Sequence, residues 1–153
     1  MKKLFFVLPL FLILSMCTSD DSEILDCSAV LCASNFSDLY LKIIDSESDE
    51  NLLINETYTA LDIVISGSET ILFSIQEVLE ERVLTLSDST WEAGTYEYTL
   101  SIGDSHNFDL TLTLESTGGE GCCSNRIFLA SFEIDGQVQK EDVGTLFILP
   151  VSK

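Results

Sequence analysis

Basic side chains are scarce. Seven of the 153 residues are Lys or Arg against 26 Asp or Glu, for a formal charge of −19. Such a surface excludes nucleic acid as a partner, because phosphates demand Lys and Arg. It also opposes docking by charge onto anionic lipid headgroups. Histidine occurs once, at His106, within Gly103-Asp104-Ser105-His106-Asn107. A Ser-His-Asp system draws its members from separate elements and needs an exposed nucleophile. Here Asp104 and Ser105 are sequence neighbours of His106, and no nucleophile elbow is present. C-x-x-C is absent, which removes the dithiol redox motif. Gly118, Gly119 and Gly121 lack both the Lys-Ser/Thr frame of a phosphate loop and a following helix. No linker and no internal repeat divides the chain. These gaps leave no catalytic constellation, and the expectation is a protein that is not an enzyme.

Long apolar runs are absent beyond the first sixteen residues. Lys2 and Lys3 precede an uncharged stretch from Leu4 to Met16. That stretch is shorter than the ~20 apolar residues a spanning helix needs. It suits a signal peptide over residues 1–16. Cys17 closes the run, and Thr18-Ser19-Asp20-Asp21-Ser22-Glu23 follows. Residues 17–26 then read as an acidic tether, and 27–153 as one domain of ordinary size. Leu14-Ser15-Met16-Cys17 resembles a bacterial lipobox, with Met16 where that motif usually has Gly, Ala or Ser. The resemblance implies cleavage before Cys17 and lipid on its sulfur. Several acyl chains, at about 0.8 kcal/mol per buried methylene, would anchor the protein to a membrane without spanning it. The acidic tract resembles the surface-export signal of Bacteroidota lipoproteins. It implies an outer-membrane lipoprotein displayed at the cell surface, with the periplasmic leaflet or simple secretion as alternatives.

Four cysteines remain: Cys27, Cys32, Cys122 and Cys123. In a secreted chain an even number reads as a disulfide framework. Pairing Cys122 with Cys123 strains the bridge, since adjacent Cα atoms lie only ~3.8 Å apart. Either cross-pairing staples the N-terminal segment to a turn some ninety residues later, worth roughly 4 kcal/mol of loop-closure entropy. A tetrathiolate zinc site is disfavoured, because adjacent cysteines do not easily chelate one tetrahedral ion.

From Leu39 onward, apolar and polar residues alternate with period two, the pattern of half-buried antiparallel strands. Leu39-Leu41-Ile43, Leu61-Ile63-Ile65, Tyr96-Tyr98-Leu100-Ile102 and Phe108-Leu110-Leu112-Leu114 form inward rows. Phe128-Ala130-Phe132-Ile134 is expected to form another, and a last strand is expected from Thr145 to Leu149, stopping at Pro150. Ile71 to Leu86 fits either a helical stripe or a hairpin turning near Leu79-Glu80-Glu81; its neighbours favour the hairpin. Turn residues at Asp45–Asp49, Ser66-Gly67-Ser68, Gly103–Asn107, Thr117–Gly121 and Asp135-Gly136 separate the runs. The expected fold is an all-β, immunoglobulin-like antiparallel sandwich of seven to nine strands. Gly94-Thr95-Tyr96 resembles the entry to a late strand in such domains, which implies a Tyr hydroxyl bonded back to the corner backbone. Trp91 is expected to plug that corner. The Cys…Trp…Cys spacing of antibody domains is missing, so the likeness is one of architecture. Asp26-Cys27-Ser28-Ala29-Val30-Leu31-Cys32 with the later Cys122-Cys123 resembles small surface lipoproteins of flavobacteria, which implies location and fold but no chemistry.

Two weak sites stand out. Asp45, Glu47, Asp49, Asn51 and Glu56 fall in a calcium-loop register, but Glu50 occupies the place where that loop requires Gly. A calcium-dependent binding module using the Asp45–Glu56 loop is therefore the first alternative to a non-catalytic interaction module without cofactor, and an enzyme is the second. The aromatics Phe36, Tyr40, Tyr58, Trp91, Tyr96 and Tyr98 could offer a carbohydrate face, although Tyr96 and Tyr98 share the apolar row with Leu100. The expected partner is a protein or glycan, bound at a sheet edge or at loop tips.

Overall fold

A computed structural model describes residues 30–32, 35–119, 121–142 and 144–152. The expected signal peptide (1–16) and acidic tether (17–26), with Cys17 and Cys27, lie outside the described residues. Among the described residues, nine strands pack as two sheets, in the sandwich architecture the alternation predicts. The first sheet runs β3 (Leu72–Val78), β4 (Glu81–Ser87), β1 (Asp38–Asp45), β9 (Leu146–Val151). The second runs β2 (Ile63–Ser66), β5 (Gly94–Ile102), β6 (His106–Ser116), β7 (Ile127–Ile134), β8 (Gln137–Val138). Inward rows from both sheets make a single core. Leu39, Leu41 and Ile43 face Leu100, Ile102, Leu110 and Leu112, all at most 1% exposed.

The ambiguous stretch is a hairpin. Phe73 opposes Leu86 and Ile75 opposes Leu84, and Val78 opposes Glu81 across a two-residue turn. Leu79 and Glu80 both have positive φ, 52° and 67°, the left-handed pair of a type I′ turn. Gly67 fits its turn for a steric reason: at φ 117°, a Cβ there would lie 2.5 Å from the Glu97 carbonyl oxygen.

Four expectations are corrected. Leu61 does not join β2; it sits 95% exposed in a short 3-10 turn, Ala60–Asp62. Thr59 and Asp62 cap that turn reciprocally, and the bonds from Thr59 hold the Asp62 carboxyl below its usual range. His106 is not in a turn but opens β6, paired with Ile102 and stacked 6.4 Å from Phe108. β9 runs through Pro150 to Val151, and it lies parallel to β1 rather than antiparallel. Thr145 accepts from Tyr40 of β1 and Val151 from Ser46 just beyond it, so Pro150, of opposite parity, turns its nitrogen to the open edge where no donor is needed.

The fourth correction matters most for the surface. The row Phe128-Ala130-Phe132-Ile134 does not face one way. A bulge lies where Thr113 opposes Ser131 but Leu114 opposes Leu129, which leaves Ala130 as the extra residue. Phe132 and Ile134 stay buried, whereas Phe128 is turned out to 41% exposure, and Ile127 and Leu129 take the inner side.

The corner before β5 is held as the immunoglobulin-like resemblance implies. The Tyr96 hydroxyl accepts from the Glu92 N–H at 2.8 Å and donates to the Glu92 carbonyl at 3.3 Å. Trp91 is buried, donates from Nε1 to the Tyr98 hydroxyl at 2.8 Å, and meets Phe36 at 5.1 Å between ring centroids. Burial, only partly offset by that bond, raises the Tyr98 pKa.

Asp88 anchors the same corner at 5% exposure. Burial opposes its charge, but the Thr90 hydroxyl (2.6 Å) and N–H (2.8 Å) and the Thr70 hydroxyl (2.7 Å) outweigh it, so its pKa falls below the ordinary 3.8. A depressed carboxyl stabilises the fold above its unfolded-state pKa and loses that contribution as pH drops through the folded value. Asp88→Asn should therefore destabilise the protein at neutral pH and flatten the acid limb below about pH 4. Urea midpoints measured from pH 7 to pH 2 check this; an unchanged acid limb would count against the assignment.

Candidate functional site

The turned-out Phe128 borders a groove at one open end of the sandwich, between the starts of β1 and β7 and the segment leading into β9. Its volume is about 370 Å³. The N-terminal segment builds one wall. Phe36 N–H donates to the Ile127 carbonyl at 2.8 Å, and the Asn35 side-chain oxygen accepts from the Ile127 N–H at 3.3 Å. These bonds lay the segment along the edge of β7, which the two-residue β8 does not reach. Phe36, anchored on Trp91, and Ile127, Phe128 and Leu129 supply apolar surface. Ser37, Asp38, Tyr40, Glu141 and Thr145 supply polar atoms. Ser37 donates to the Asp38 carboxylate at 2.6 Å. Burial, and secondly the nearby Asp38 charge, raise the Tyr40 pKa, so its phenol remains a protonated donor at neutral pH. Among the described residues the lining holds two carboxylates and no cation, which favours a neutral or cationic ligand with an apolar face.

The disulfide fastens this wall. Cys32 bonds Cys123 with Cα atoms 5.4 Å apart, across a separation of 91 residues. This is one of the two cross-pairings. Cys122 is also disulfide-bonded.

The calcium-register residues do not converge. Asp45 ends β1 with 5% exposure, and its carboxylate accepts from the N–H groups of Glu47 (2.8 Å) and Ser48 (3.2 Å). Asn51 is engaged locally, accepting from Leu53 N–H and donating to Glu81 and to the Arg82 carbonyl. Lys42, at 2.7 Å, and then Asn51 hold the Glu81 carboxyl below its usual range. Glu56 lies 3.8 Å from Arg82. Asp49, like Glu56, occupies a left-handed turn position, at φ 58°. Among the described residues no group of three or more His, Cys, Asp or Glu could hold a metal ion. His106, at the far end of β6, stands ten positions from Ser116, roughly 30 Å from the groove end of that strand.

Of the six candidate aromatics, Phe36 and Tyr40 line the groove. Trp91 and Tyr98 are core, Tyr96 holds the corner, and Tyr58 packs beneath Gly103. Sequence reasoning missed Phe128, Asp38 and Glu141. Phe128 was hidden by the bulge, and the two acids carry no mark among 26. Comparison with protein-family models, with curated proteins and with solved structures finds no match.

Proposed function

We propose that this chain is a non-catalytic binding module of the cell envelope, held to the outer membrane by lipid on Cys17 and displayed at the surface. The supporting observation is the composition of the groove. Aromatic and aliphatic surface adjoins hydroxyls and carboxylates, and among the described residues no histidine or thiol lines the groove. Such a lining suits a protein segment or glycan that presents an apolar face and hydrogen-bond donors. The lipobox-like Leu14-Ser15-Met16-Cys17 and the acidic tract after it support the anchor and its outward placement.

Two measurements test the reading. Cys17→Ser should move the protein from the membrane fraction to the soluble fraction, and equal retention would refute the anchor. Glycan arrays and pull-downs from the envelope, run with wild type and Phe128→Ala, test the groove. Losing a central aromatic anchor typically costs about 2 kcal/mol, roughly thirtyfold in affinity. A ligand bound equally by both proteins would move the site elsewhere.

A further inference from the structure

A sheet edge left open is a template for another strand, and folded proteins normally blunt it with brevity, Pro, Lys, bulges or covering segments. Three of the four edges here are blunted. β2 has four residues and β8 two. β9 carries Pro150 with its nitrogen on the open side. The fourth edge, β3, has seven residues, pairs with β4 through seven consecutive positions, and contains no Pro, Lys or bulge. The closing pair Val78–Glu81 sets the parity: Val78, Gln76, Ser74 and Leu72 bond toward β4, and Phe73, Ile75 and Glu77 point away. Among the described residues, the backbone N–H and C=O groups of these three have no partner.

We propose that this edge pairs with the β3 edge of a second copy, antiparallel about a twofold axis at Ile75, to join two four-stranded sheets into one. In that register all seven residues from Leu72 to Val78 find a partner and no two like charges meet. Leu72, 67% exposed, meets Val78 of the other copy, Ser74 meets Gln76, Phe73 meets Glu77, and Ile75 meets Ile75. Every outward backbone group then finds an outward partner, and Glu77 never opposes Glu77. Shifting the twofold axis to Glu77 would set like charges opposite each other, which is destabilising. Shifting it to Ser74 or Gln76 would leave two strand residues of each copy unpaired, one of them outward-bonding. The inference goes beyond the proposed binding function and depends on neither the groove nor the anchor.

Cysteine trapping in cells expressing the full chain tests it. At a hydrogen-bonded antiparallel pair the Cα atoms stand about 5.5 Å apart, within disulfide reach. Ile75→Cys should give a dimer on non-reducing electrophoresis. Glu77→Cys should not, although position 77 is more exposed, because its counterpart is four residues out of register. Adding Glu77→Pro to Ile75→Cys should abolish the dimer. Glu77 has an outward N–H and an exposed side chain, so Pro leaves the monomer intact, which an unchanged melting temperature would verify. Wild-type protein extracted in mild detergent supplies a second measurement that does not need the cysteine variants to fold. Its dimer fraction should rise between about 0.05 and 0.5 M NaCl, as salt screens the repulsion between two acidic copies. A monomer at every salt concentration, a Glu77→Cys dimer as strong as that of Ile75→Cys, or trapping of a different, cationic protein would each overturn the proposal.

Discussion

Phe132→Ala should lower the unfolding free energy by about 3–5 kcal/mol. Phe132 is 1% exposed on β7, and its ring lies 4.7 Å from that of Phe147, also 1% exposed, on β9 of the other sheet. The pair bridges the two layers, from edge strand β9 to β7, the neighbour of edge strand β8. Truncation removes buried apolar area and leaves a cavity that two hydrogen-bonded sheets cannot close. Phe147→Ala should behave alike, and the double variant should lose less than the sum, because both substitutions empty one space. Phe128→Ala is the informative contrast. An unbroken alternation would give Phe128 the same burial as Phe132, and hence a similar loss. The bulge at Ala130 leaves Phe128 41% exposed, so its truncation should cost under about 1 kcal/mol. Urea midpoints at unchanged m-value measure all four variants. Equal losses at 128 and 132 would mean that the bulge is misplaced.

Full reduction of the disulfides should destabilise the domain by about 4–5 kcal/mol, from the loop-closure entropy of a crosslink spanning 91 residues. Replacing only Cys32 and Cys123 with Ser should cost much less. Cys122 is itself disulfide-bonded, and Cys27 is its expected partner. A second bridge between the same two segments already closes nearly the same loop. The two losses are therefore strongly non-additive, with most of the effect appearing only when both bridges are gone. Urea unfolding with and without reductant, on wild type and on the Cys32→Ser/Cys123→Ser variant, separates the terms. A full loss from the double substitution alone would mean that Cys122 pairs elsewhere.

The groove depends on the first of these bridges through geometry as well as stability. Cys32 lies three residues before Asn35 and four before Phe36, the residues that bond Ile127 and build the wall. Releasing Cys32 should therefore loosen the groove before it unfolds the core, since the sheets keep their own ladders.

Much of the architecture was legible in the residue order. Period-two alternation depends only on which side of a strand each residue occupies, so β1, β5 and β6 could be read from their own residues. The Tyr96 corner was equally local, whereas the β3–β4 stretch also fitted a helical stripe and was read as a hairpin only from the period of its neighbours. What the linear order left open was every choice between distant partners. Which cross-pairing the thiols adopt, whether β9 runs parallel to β1, and where a single extra residue enters β7 depend on contacts formed only when remote segments meet. The groove inherits that dependence. Phe36 and Tyr40 could be named as candidate aromatics, but Phe128 faces outward only because Ala130 shifts the strand by one place. Asp38 and Glu141 become distinguishable from the other acids only once the chain has brought them to one opening.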